Sequence, residues 1–166
     1  MIKISYGSAF AMMDHIVPLF PSLFERIVYE EDGAKEEFAV LSLWEEEEAI
    51  WAGIKGGLRR IEKSTKAYQN YDLPNKASPL SITTWDDNQL LIGTMTGEIF
   101  IFDKKNEDFK TFLNEEQAVL FKRSKINSLY PFSERKLFIG GRPGTYIYNA
   151  QEGDLKQVKK TWIHTP

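Results

Sequence analysis

The chain has 166 residues, of which 42% are apolar, 13% aromatic and 27% charged, and its net charge is -3. That length fits one domain with a sizeable core, and the charge provides neither the basic face a nucleic acid needs nor a polybasic membrane patch. Cysteine is absent, which excludes disulfides, thiol catalysis and thiolate metal sites.

Residues 1–36 follow no repeat. Met12, Met13, Ile16, Val17, Phe20, Leu23, Phe24, Ile27 and Val28 recur at helical spacing. Pro18 and Pro21 break a single long helix, which leaves two readings. One is a short helix from Ser22 to Tyr29. The other is a ring-closing strand, Phe24 to Glu30, ended by Glu31-Asp32-Gly33. Asp14, His15 and the prolines interrupt any apolar run long enough for a signal peptide or a membrane span. The expectation is a chain that stays where it is made.

From Phe38 onward one phrase recurs three times, as Ile50–Lys63, Leu90–Lys104 and Leu137–Ala150. Each copy runs an apolar pair into a glycine (Gly53, Gly93, Gly140), with a second glycine four residues later (Gly57, Gly97, Gly144). The first glycine returns after 40 and then 47 residues, the spacing of four-stranded propeller blades. The first unit predicts strands Phe38–Trp44, Ala49–Ile54, Leu58–Glu62 and Ala67–Tyr71, with a tight turn at Lys55-Gly56-Gly57. The second predicts Leu80–Trp85, Gln89–Thr94, Glu98–Phe102 and Phe109–Leu113, then an insertion over Asn114–Arg123 that reads as a helical turn or a loop. The third predicts Ile126–Tyr130, Lys136–Ile139, Thr145–Asn149 and Leu155–Lys159, with Thr161–His164 as a further strand. The blades therefore span about 37–76, 77–124 and 125–166. Trp44, Trp85 and Phe132 precede the first glycine by nine, eight and eight residues and read as packing between blades. The run Glu45–Glu48 reads as a solvated hairpin tip, with no metal site.

Two segments, Trp51-Ala52-Gly53-Ile54-Lys55-Gly56-Gly57-Leu58 and Leu91-Ile92-Gly93-Thr94-Met95-Thr96-Gly97, carry a family resemblance. They resemble the two-component-regulator propeller repeat, with a strand ending in Gly, a glycine turn and then Gly-Leu. Lys66-Ala67-Tyr68-Gln69-Asn70-Tyr71 matches the tail of that repeat, and Gly144-Thr145-Tyr146-Ile147-Tyr148-Asn149 matches it more loosely. The resemblance covers about residues 38–160. It implies an all-β propeller of the kind that forms the periplasmic sensor part of hybrid histidine kinases, many of which sense oligosaccharides. Such sensors carry two closed rings, a membrane span and a kinase. With about three blades, this chain reads as a fragment, a truncated relative or a subunit, with an incomplete ring.

A partial ring leaves apolar blade faces open, which residues 1–36, a partner or a second copy would cover. For chemistry the sequence offers little. His15 and His164 lie near opposite ends, no nucleophile elbow or phosphate loop occurs, and no cofactor or catalytic set is expected. Binding residues would come from loops that open on one face. The candidates are Lys55, Tyr71, Asn75, Lys76, Met95 and Arg142, with Tyr71 or Phe121 as the aromatic platform for a sugar. The functional expectation is a non-catalytic, ligand-sensing propeller module, with oligosaccharide as ligand. The alternative is an assembly scaffold without a small ligand.

Overall fold

A computed structural model describes residues 40–133 and 135–158. Residues 1–36 and Thr161–His164, for which a helix or strands are predicted above, lie outside the described residues.

Three antiparallel four-stranded sheets follow one another along the chain. The first holds β1 (Ser42–Glu45), β2 (Ala49–Ile54), β3 (Gly57–Glu62) and β4 (Tyr68–Asp72). The second holds β5 (Pro79–Asp86), β6 (Gln89–Thr94), β7 (Ile99–Asp103) and β8 (Asp108–Thr111). The third holds β9 (Ile126–Ser133), β10 (Lys136–Gly141), β11 (Gly144–Asn149) and β12 (Asp154–Gln157). Strand order equals chain order in every sheet, the meander of a propeller blade, and the ring is not closed. The insertion after β8 forms a short helix, α1 (Glu115–Ala118), that runs into a 3-10 turn at Val119–Phe121. Its start is written in the sequence as a capping box. Asn114 accepts from the Gln117 amide at 2.9 Å while the Gln117 side chain reaches back to the Asn114 amide.

Two apolar layers hold the blades face to face. Between blades 1 and 2 lie Trp51, Leu58, Leu73, Ile82, Leu90, Ile92 and Phe102. Between blades 2 and 3 lie Leu91, Phe121, Ile126, Leu129, Leu137 and Ile139. The continuous run Leu90-Leu91-Ile92 follows from this. β6 is covered on both sides, so alternate residues feed different layers and none may be polar. Phe102 is fully buried, with its ring 5.5 Å from Trp51 and 4.8 Å from both Tyr71 and Phe109.

Register corrects one sequence equivalence. Ser42, Ser81 and Ser128 pair with Gly53, Gly93 and Gly140, which sets the three blades on one scale. Two residues beyond each serine stand Trp44, Thr83 and Tyr130; four beyond stand Glu46, Trp85 and Phe132. Trp85 and Phe132 are thus equivalent, and Trp44 is not. Register shifts between Thr84 and Asp86, and between Lys136 and Leu137, displace the later aromatics. All three nevertheless stand on the side of their blade that faces the next one. Trp44 packs on the first layer and Trp85 on the second.

The glutamate turn also differs from expectation at one residue. Glu47 and Glu48 are exposed, as a solvated tip requires, and Glu45 pairs with Lys63 at 2.6 Å. Glu46 instead clamps two blades. Its carboxylate accepts from the Trp51 indole N–H and the Lys104 ammonium, each at 2.9 Å, and from the Thr84 hydroxyl at 3.4 Å. The Trp44 indole N–H donates to Thr84 Oγ1 at 2.9 Å and extends the network.

Candidate ligand-binding face

The turns β2–β3, β6–β7 and β10–β11 open on one face, together with the two links between blades. Backbone contacts join them into a continuous ridge. The Leu73 amide donates to the Gly56 carbonyl at 3.1 Å and the Met95 amide to the Ser78 carbonyl at 2.9 Å. Further along, the Arg123 amide donates to the Thr96 carbonyl at 3.1 Å and the Arg142 amide to the Lys125 carbonyl at 3.2 Å. At Gly97 the approach is so close that a Cβ would stand 1.9 Å from the Phe121 carbonyl oxygen, and the backbone there has φ +100°. Only glycine meets both demands.

Five of the six residues singled out from sequence lie on this ridge. Lys55, Met95 and Arg142 occupy equivalent turns and are exposed. Asn75 and Lys76 lie in the first link, where both take left-handed backbone (φ 56° and 51°), and Lys76 forms an ion pair with Asp72. Tyr71 is set apart. Its ring lies between blades against Phe102, and its hydroxyl donates to Glu107 at 3.0 Å. Burial, then the hydrogen bond and charge of the Glu107 carboxylate, push its pKa up to about 12. Phe121, the other aromatic offered as a platform, is fully buried beside Tyr146 at 4.9 Å. Neither ring presents a face to a sugar.

What the sequence missed is a cavity beside the middle turn. It has a volume of about 320 Å³, with Ile99, Leu113, Ala118 and Val119 as its apolar lining and Glu98, Thr111 and Lys122 among its polar lining. Burial would raise the Glu98 carboxyl, but hydrogen bonds from Thr96, Thr94 and its own amide outweigh it and hold the group below the usual carboxylate range. The Thr94 hydroxyl reaches Glu98 Oε2 at 2.9 Å. The one sequence signal for this site was the Asn114-to-Gln117 capping box, which places α1 over the outer side of the middle turn.

Charge is unevenly distributed. On the loop face Lys55, Lys76, Lys122, Arg123, Lys125 and Arg142 are exposed and outnumber the exposed Asp72, while on the turns of the opposite rim Glu47, Glu48, Asp86, Asp87, Glu107 and Glu152 outnumber the exposed Lys105 and Arg135. The loop face is therefore suited to a ligand with hydrogen-bonding and anionic groups and a small apolar portion.

No family model matches the sequence, and no curated protein is similar to it. Solved structures do share its fold. The extracellular domain of a hybrid two-component system from B. thetaiotaomicron superposes with a TM-score of 0.61 at 16% identity, over 80% of this chain and 20% of that one. A second such domain from the same organism gives a TM-score of 0.60 at 18% identity, over 80% of this chain and 18% of that one. The WD40 β-propeller domain of Doa1 gives 0.54 at 15% identity, over 74% and 39%. The chain thus has the architecture of an incomplete β-propeller, and it spans 15–20% of the length of the extracellular domains it matches.

Proposed function

We propose that the chain is a non-catalytic, ligand-sensing part of a β-propeller that binds its ligand on the loop face. The continuous ridge of turns and links, with exposed cations beside an apolar cavity, is the observation that carries this reading. The shared architecture with extracellular domains of two-component systems supports sensing as the use of that binding. Oligosaccharide is the ligand class we favour. Because no aromatic platform faces the ridge among the described residues, recognition falls to the cations and to the amide of Asn75, and acidic sugars fit better than neutral ones. Calorimetry with neutral and uronate-containing oligosaccharides tests this. Saturable binding of the acidic set, weakened by Lys122→Ala with Arg142→Ala, is expected; silence across both sets sinks it.

A second reading has its own observation. Tyr130 and Phe132 are 65% and 42% exposed on the outward side of blade 3, which is the composition of an assembly surface. A scaffold without a small ligand would bind no oligosaccharide yet form a complex of defined stoichiometry.

A further inference from the structure

One device, used twice, joins the blades. Ser42 faces Gly53 across β1 and β2, and Ser81 faces Gly93 across β5 and β6. The Ser42 hydroxyl donates to the Pro79 carbonyl and the Ser81 hydroxyl to the Ile126 carbonyl, each at 3.3 Å. Pro79 and Ile126 are the first residues of the next blade's inner strand. Those same residues lie over the glycines. A Cβ on Gly53 would stand 2.8 Å from Pro79 Cβ, and one on Gly93 2.5 Å from Ile126 Cγ2. Serine hydroxyl and bare glycine form a socket, and the incoming apolar residue is its plug.

Blade 3 carries a third socket. Ser128 faces Gly140 across β9 and β10. Among the described residues, the three atoms nearest a Cβ on Gly140 all belong to Ser128, and no following strand accepts from its hydroxyl. Around it stand Tyr130, Phe132 and Phe138, the last two with rings 5.1 Å apart. Phe138 holds the register place of Trp51 and Leu91, which are 1% and 0% exposed where the next blade covers them.

We propose that this outward side of blade 3 is a docking surface for one further propeller blade, supplied from outside the 166 residues. That blade's inner strand begins with an apolar residue seated over Gly140, its carbonyl accepting from Ser128. The two filled sockets define this chemistry, and the surface continues the interfaces already present in the molecule. Residues 159–166 are too few to supply a blade, since successive socket serines are 39 and 47 residues apart, and the residues before Val40 join the molecule at blade 1, the other end of the row. A second copy does not supply it either. Its plug would be Val40, two residues before Ser42, on the blade whose outward side chains Leu43, Ile50 and Ala52 are already buried.

The test uses the full chain, with and without a duplicate of residues 114–158 appended after Pro166, the duplicate carrying Tyr130→Thr, Phe132→Thr and Phe138→Thr so that it does not expose the same aromatic side in its turn. The apolar dye ANS reports exposed hydrophobic surface. The appended blade is expected to remove most of the dye signal and to raise the melting temperature by several degrees. Gly140→Ala in the original blade should reverse both gains in the extended protein and leave melting of the 166-residue chain unchanged. Unchanged dye binding and melting on extension would overturn the proposal, as would indifference of the extended protein to Gly140→Ala. Light scattering that shows the 166-residue chain to be a dimer dispersed by Tyr130→Asp would overturn it in favour of self-association.

Discussion

Alanine placed at Gly93 and at Gly140 should have unequal effects, although the sequence writes both glycines in the same phrase. At Gly93 the new Cβ would meet Ile126 Cγ2 at 2.5 Å and Ile126 Cβ at 2.9 Å, on a strand locked into the second apolar layer. Real Cβ contacts do not come so close, so blade 3 must shift away from blade 2. Overpacking of this kind costs about 1–3 kcal/mol. At Gly140 the nearest neighbour is the Ser128 hydroxyl at 2.2 Å, the end of a side chain that can rotate on an exposed surface. Neither glycine has positive φ, so no backbone strain is added, and the loss of glycine's freedom in the unfolded chain offsets what clash remains by about 0.4–1 kcal/mol. For a chain of this size 1 kcal/mol corresponds to about 2–4 °C. With the same offset taken from the overpacking cost, Gly93→Ala should therefore melt up to about 10 °C below the parent by circular dichroism, with Gly140→Ala within about 2 °C of it. Equal losses at the two positions would refute the reasoning. They would mean that the serine inside each blade, and not the next blade, dictates glycine.

The Glu46 clamp gives a pH dependence. Burial raises its carboxyl, but hydrogen bonds from Lys104, Trp51 and Thr84 together with the Lys104 charge outweigh burial and leave it below the ordinary value of 4.5. The folded value lies below the unfolded one. The contribution is thus complete above the unfolded value and is lost as pH falls through the folded one. Acid unfolding should show this loss, and Glu46→Ala should flatten it while removing roughly 1–3 kcal/mol at neutral pH, because the Trp51 indole loses its acceptor. Tyr71 works at the other end of the scale. Raised from 10.0 to about 12, its hydroxyl favours the fold below the unfolded value, and that support is lost as pH climbs through the folded one. Phenolate absorbance should reveal one late-titrating tyrosine that Glu107→Gln brings forward. Phe102→Ala removes the ring at the centre of the first layer, and denaturant titration should show a loss of about 3–5 kcal/mol.

How the site and fold were legible differs by kind of information. Strand positions could be read directly. β2 and β6 fall where the phrases Ala49–Ile54 and Gln89–Thr94 placed them, because glycine turns and apolar runs are local properties. The loop face was legible too, since chain order in a meander decides which turns open together. The direction of Tyr71 was not. On a strand between two blades, tilt and the position of Glu107 in the neighbouring sheet determine where its hydroxyl ends, and neither is local. The same holds for Glu46, one of four identical letters, which only the approach of Lys104 and Thr84 from blade 2 separates from its solvated neighbours.

The sequence by itself determined the repeat, the blade as its unit and the glycines that recur within it, because each depends on spacing along the chain. Tertiary structure alone decided which of those glycines is covered. Gly53 and Gly93 lie under the plugs Pro79 and Ile126, while Gly140 faces outward beside Ser128 with no following strand among the described residues. The difference is physical and non-local. A socket is written in one blade, and whether it is filled depends on what packs against that blade.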